Sequence, residues 1–196
     1  LNSNIQKKFK PIKKNKDAFK ILWMNLSGYY SSGADSQERK LMEPPLGLIA
    51  LQSYLDREFK EKIDGRIVKS GLDFDSNEEM NKLIKNFKPD IIGISVMTFY
   101  KDFVHGAIKS IRNNDISTPI FLGGPYPTGD YENALKDQNI NACMLGEGEI
   151  TITELVGLMM DNDNKLPTHD ILKKVHGMAL RNNEELRQEI QTQLSN

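Results

Sequence analysis

FLGGPYPTGDYENALKDQNINACMLGEGEIT, from Phe121 to Thr151, holds two short apolar runs that each stop at glycine. Ile120-Phe121-Leu122 runs into Gly123-Gly124-Pro125, and Ala142-Cys143-Met144-Leu145 runs into Gly146-Glu147-Gly148-Glu149. Both runs have strand length, and a short helix is expected between them around Tyr131 to Lys136. Strand, helix and strand in that order read as one unit of a parallel sheet. Glycine weakens a strand, so its recurrence at two neighbouring strand ends needs either a backbone reason or a ligand reason.

The same alternation extends upstream. Ala18 to Met24 reads as a first strand and Ile63 to Ser70 as a weaker second one. Ile91 to Met97 is apolar at successive positions, as a strand buried on both faces of a parallel sheet must be. Pro119 to Leu122 and Ala142 to Leu145 are the fourth and fifth. Between them, Pro44-Pro45 opens a helix lined by Leu48, Leu51, Leu55 and Phe59. Ser76 with Glu79 has capping-box spacing and starts a second helix, carrying Met80, Leu83, Ile84 and Phe87. Val104, Ala107, Ile108 and Ile111 mark a third. Thr151 with Glu154 has the same capping-box spacing ahead of Leu155, Val156, Leu158 and Met159. Repeating units of roughly 30 residues define an α/β protein with a doubly wound parallel sheet.

Three segments follow from this reading: a basic flexible tail over 1–17, the α/β domain over 18–161, and a linker with a hairpin over 162–196. The tail carries Lys7, Lys8, Lys10, Lys13, Lys14 and Lys16 and reads as solvated chain. Tyr29 to Glu43 is a polar loop too long for a simple connector. Val175 to Arg181 and Glu184 to Glu189 flank Asn182-Asn183, a pair that tolerates the positive φ of a tight hairpin turn. Leucine at position 1 and a polar run-out after Gln188 suggest a domain belonging to something longer.

Composition narrows the function. A net charge of -1 in 196 residues gives no reason to expect nucleic acid or a membrane surface as partner. One cysteine excludes an internal disulfide framework and fits a reducing, cytoplasmic compartment. No apolar run approaches the ~20 residues of a membrane span. There is no phosphate-binding P-loop and no zinc-ligand spacing. Gly146-Glu147-Gly148 lacks the third glycine of a dinucleotide fingerprint, with Thr151 in its place. A receiver-type phosphorylation site is not indicated, because the first strand ends without paired acids and the third without an aspartate.

Ligands of open parallel sheets bind beyond the carboxyl ends of the strands. Those ends read Asn25-Leu26-Ser27-Gly28, Ser95-Val96-Met97-Thr98, Gly123-Gly124-Pro125 and Gly146-Glu147-Gly148. Any one glycine is accounted for by a turn; their coincidence at adjacent strand ends favours a ligand. Glu147 and Glu149 suit either a helix start or ligand hydroxyls. His105, at the start of a helix, reads as a capping or surface residue, and Cys143 as a small buried hydrophobe. His169 and His176 fall in the C-terminal extension.

Pro44-Pro45-Leu46-Gly47-Leu48, Pro89-Asp90-Ile91-Ile92-Gly93-Ile94-Ser95, Gly123-Gly124-Pro125-Tyr126-Pro127-Thr128 and Gly146-Glu147-Gly148-Glu149 together resemble one family. It is the cobalamin-binding domain that precedes the catalytic barrel of many radical S-adenosylmethionine enzymes. The similarity covers roughly Ala18 to Met160. It implies a flavodoxin-like sheet of order 2-1-3-4-5, with the corrin above the strand ends and its nucleotide tail between strands. By the same resemblance Ser95, Val96, Met97 and Thr98 match the serine-containing loop after the third strand. Gly123 and Gly124, with Pro125, match the glycine pair that makes room for the tail, so a side chain at Gly124 would fill that channel. Gly146, Glu147 and Gly148 match the loop bordering its far end, and Ser27 and Gly28 are candidates at the end of the first strand.

Two departures from related patterns bear on the chemistry. The D-x-H-x-x-G segment of cobalamin-dependent mutases, whose histidine ligates cobalt, is replaced by Asn25-Leu26-Ser27-Gly28-Tyr29-Tyr30, which implies a histidine-off cofactor. The C-x-x-x-C-x-x-C run of a radical enzyme is also missing, so S-adenosylmethionine and a 4Fe-4S cluster are expected only in a downstream barrel. Full-length members are C-methyltransferases, ring-forming enzymes or oxidative cyclases. Two other readings stay open: a cofactor-free docking module of the same fold, and a flavin domain using Ser27-Gly28 and Ser31-Ser32-Gly33 as a phosphate loop.

Overall fold

The computed structural model describes residues 14–26, 30 and 44–181. Five strands pair in parallel: β1 (Phe19–Asn25), β2 (Ile63–Lys69), β3 (Ile91–Ser95), β4 (Ile120–Gly123) and β5 (Ala142–Met144). A sixth, β6 (Met178–Ala179), adds to β5 in the antiparallel sense. The order β2-β1-β3-β4-β5-β6 is the flavodoxin-like arrangement that the resemblance implies. β6 falls where the first arm of the hairpin is expected, and residues 182–189, assigned to its turn and second arm, lie outside the described residues.

Side chains of β1 alternate between two layers. Phe19, Ile21 and Trp23 pack with α1 (Leu46–Phe59) and α5 (Glu149–Met160) through Leu48, Leu55, Ile152, Leu155 and Val156. Leu22 and Met24 pack on the opposite face against α2 (Asn77–Phe87) and α3 (Lys101–Asn113), through Met80, Ile84, Val104 and Ile108. With both faces covered, the central strands lose almost all exposure, which is why their sequences are continuously apolar. β1 lies between β2 and β3, and the chain changes its winding direction there, so a crevice opens at the carboxyl ends of the strands.

The Ser76 cap is formed: its Oγ accepts the Glu79 amide at 3.1 Å, while Glu79 Oε2 accepts the Asp75 amide at 2.7 Å. The second expected capping box is not. Gly148 is the residue before α5, and Thr151 lies inside the helix. Thr151 Oγ1 donates to the His176 carbonyl at 2.6 Å, and Glu154 Oε2 accepts the His176 amide at 2.8 Å. The pair therefore clasps the segment leading into β6 rather than starting a helix.

The helix expected at Tyr131 to Lys136 begins earlier. α4 spans Pro125–Ala134, with a break at Asp130 (φ -152°, ψ 50°). Pro125 occupies the first turn, where a missing amide hydrogen costs nothing. A short α6 (His169–Leu172) precedes β6. Lys14, assigned to the tail, is tethered to Asp56 by an ion pair at 2.6 Å.

Candidate functional site

The ends of β3, β4 and β5 are fastened into one frame. Ser95 and Gly123 are register partners across β3 and β4. One residue on, the Val96 amide donates to the Gly123 carbonyl at 2.9 Å, and the Val96 carbonyl accepts the Tyr126 amide at 3.1 Å. Thr128 Oγ1, on α4, accepts the Gly146 amide at 3.2 Å and so joins the two glycine loops. A site framed this way is preformed, as small-molecule sites usually are.

Between this frame and α1 lies a cleft of about 400 Å³. Its edge carries Ser95, Gly123, Gly124, Pro125, Gly146, Glu147 and Gly148, all named from sequence. The cleft thus collects seven candidate residues from three strand ends.

The glycines divide by cause. Gly124 has φ +97°, and a Cβ there would sit 3.1 Å from the Val96 carbonyl oxygen, so its reason is backbone geometry. Gly123 has no positive φ, and a Cβ on it would meet only the Met144 carbonyl oxygen, at 4.0 Å. Its missing side chain leaves open space in the cleft. A substitution at Gly124 therefore strains the turn, and the position of the pair that is open for a side chain is Gly123. Gly146 and Gly148 also have positive φ, and Gly146 additionally faces open space.

The other candidates lie apart. Val96 is wholly buried in the layer under α2 and α3. Met97 and Thr98 are exposed beyond the end of β3, outside the cleft lining. Ser27 and Gly28 lie outside the described residues, as do Ser31, Ser32 and Gly33 of the flavin reading.

The floor and far wall were not anticipated. Trp23 forms the floor, and Gly47, Leu48 and Leu51 of α1 form the wall, with Phe121 and Met144 completing the interior. Trp23 and Gly93 are register partners across β1 and β3, and a Cβ on Gly93 would collide with the indole ring. The Trp23 Nε1–H donates to Gln52 Oε1 at 2.7 Å, and the Gln52 side chain fills the space above Gly65. A tryptophan in a strand, with glycines in both neighbouring strands, is the sequence signal that could have revealed this floor.

No histidine lines the cleft. His105 contacts Asp137 Oδ2 at 2.8 Å and the Tyr126 hydroxyl at 3.3 Å. Burial alone would raise the Asp137 carboxyl; hydrogen bonds from His105 and Asn139 outweigh it and hold that carboxyl below its ordinary value. Cys143 is fully buried, which pushes its thiol up to about 12, and it behaves as the small hydrophobe expected. Among the described residues no three His, Cys, Asp or Glu side chains are grouped to hold a metal, and no helix is long and apolar enough to cross a membrane.

A flavodoxin-like sheet with a glycine-bordered cleft beyond its strand ends has the form of a ligand-binding α/β domain. Residues 37–156 match the model of the B12 binding domain, and the chain belongs to that family. It is 29% identical over 147 residues to an uncharacterized methyltransferase of Pyrococcus horikoshii, covering 74% of this chain and 30% of that protein. It is 33% identical over 122 residues to the cytidylyl-2-hydroxyethylphosphonate methyltransferase of Streptomyces wedmorensis, covering 60% of this chain and 20% of that protein. The chain thus spans less than a third of the length of either relative.

Two solved structures share the fold. The cobalamin-dependent S-adenosylmethionine radical enzyme OxsB, with aqua-cobalamin and S-adenosylmethionine bound, superposes with a TM-score of 0.65 at 20% identity, over 86% of this chain and 21% of that one. The radical S-adenosylmethionine methyltransferase TsrM of Kitasatospora setae gives 0.64 at 15% identity, over 85% and 29%.

Proposed function

We propose that this chain is the cobalamin-holding domain of a radical S-adenosylmethionine enzyme, with the cofactor's nucleotide tail in the cleft between α1 and the ends of β3, β4 and β5. The observation that carries this reading is the open space at Gly123, where a side chain is absent without any demand from the backbone. The cleft volume falls in the ~300–1,000 Å³ range of small-molecule sites. Outside the cleft lining, Leu46, Met97, Phe99 and Ile150 stand exposed just beyond the strand ends or at the helix starts beside them. Exposed apolar side chains in these positions suit a second domain closing over the strand ends.

When bound, cobalamin supplies the methyl-carrying cobalt chemistry. The domain's own residues bind and orient. Gly123 and Gly146 leave the passage, Ser95 and Thr128 offer hydroxyls at its edge, and Trp23 with Gln52 sets its depth. The cofactor is histidine-off: the position after β1 carries no histidine, and the chain's three histidines lie outside the cleft lining. S-adenosylmethionine and a 4Fe-4S cluster belong to a barrel elsewhere in the same protein, reached through the segment that Thr151 and Glu154 clasp. A C-methyl transfer fits the two relatives that are named methyltransferases. One reduced cysteine fits the cytoplasm.

The test is titration with hydroxocobalamin, followed by absorption and gel filtration, on this domain and on the full-length protein. Colour co-eluting with protein, without the spectrum of a histidine-ligated cobalt, supports the reading. Colourless protein in both preparations favours a docking module instead.

A further inference from the structure

We propose that the cleft selects among corrinoids by the base at the end of the nucleotide tail, preferring an apolar benzimidazole to a purine, with Trp23 setting the preference. This inference rests on the cobalamin reading above.

The cleft changes character with depth. Ser95, Thr128 and Glu147 place their polar groups at the strand-end edge, whereas Trp23, Phe121, Met144 and Leu48 are nearly or fully buried and line the interior. A tail with a polar linker and an apolar end matches that gradient.

Trp23 offers a ligand no hydrogen bond. An indole has a single polar hydrogen, and here Gln52 accepts it at 2.7 Å. Gln52 is itself held, since its Nε2 donates to Asp56 Oδ1 at 3.1 Å, and that oxygen also pairs with Lys14. Gly93 meanwhile fixes the ring from the other side, because any Cβ would collide with it. The floor is a rigid carbon surface whose polar atom is already engaged.

A purine pressed against that surface buries ring nitrogens and an exocyclic amine without partners, which costs roughly 10-fold in affinity for each unpaired group. The methylated benzo ring of dimethylbenzimidazole carries no such groups and gains by burial.

Three probes test this on the full-length protein: hydroxocobalamin, the corrinoid with adenine as its lower base, and cobinamide, which has no nucleotide tail. Hydroxocobalamin is expected to bind about 10-fold or more tighter than either of the others. Trp23→Leu is expected to narrow the gap, but it changes a buried residue and can cost folding. Leu51→Gln, on the half-buried wall of α1, offers a purine a partner and is expected to bring the two bases within roughly 3-fold, largely by improving adenine binding. Equal binding of the two base-bearing corrinoids overturns the inference alone, whereas equal binding of cobinamide and hydroxocobalamin overturns it together with the placement of the tail in the cleft. Failure of all three to bind overturns the cobalamin reading and this inference with it.

Discussion

Gly123 and Gly124 are adjacent in sequence and lack side chains for opposite reasons. Gly124 turns the chain at φ +97° with the Val96 carbonyl 3.1 Å from where a Cβ would stand, while Gly123 has ordinary backbone and faces space. Valine at 124 is therefore expected to lower stability by about 1–3 kcal/mol, because a β-branched residue is strained at positive φ. Valine at 123 is expected to leave the unfolding midpoint nearly unchanged. Urea titrations of the two variants check this, and equal losses would contradict the division.

Gln52→Leu removes the acceptor of a buried indole hydrogen and leaves it unsatisfied. The expected loss is about 1–3 kcal/mol. Gly65→Ala should also destabilise, since the added Cβ collides with the same Gln52 side chain. Denaturant midpoints for both variants that match the wild type would remove Gln52 as the anchor of the floor.

The Asp137 carboxyl has a folded pKa below its ordinary 3.8. A depressed carboxylate contributes stability that is present above 3.8 and lost as pH falls through the folded value. His105→Ala deletes one of the bonds responsible, so its deficit is expected at neutral pH and should shrink in acid. The same variant is expected to leave the spectrum of bound cobalamin unchanged, because His105 is tied to Asp137 and Tyr126 outside the cleft lining. Melting temperatures across pH 3–7, with an absorption spectrum of the loaded variant, read both effects.

Cys143 gives the opposite pH dependence. Burial raises its thiol from 9.0 to about 12, so above pH 9 the unfolded chain releases a proton that the folded one keeps, and stability falls. Native protein at neutral pH is expected to resist a thiol reagent that labels the unfolded chain at once. Rapid labelling of the native state would show that β5 opens readily.

Most strands and helices were legible from period, as continuous apolar runs for buried parallel strands and stripes at three and four residues for helices, whereas the strand order came from the family resemblance and the start of α4 at Pro125 was not read. Thr151 and Glu154 misled for a physical reason. Their spacing is the same at a helix start and one turn inside it, and what distinguishes the two is His176, a partner 22 and 25 residues away. The strand-end glycines pointed to the cleft, yet its floor did not show, since Trp23 meets Gly93 only through the β1–β3 register. Gly47 carried a hint that went unused, because glycine near the start of a helix is a cost that an open wall repays.

The most direct measurement is a paired hydroxocobalamin titration of the wild type and Gly123→Val, each first shown to be folded by circular dichroism. The account predicts coloured wild-type protein on gel filtration and a Gly123→Val variant that elutes folded but colourless. A folded Gly123→Val protein that retains the cofactor with wild-type affinity would contradict it.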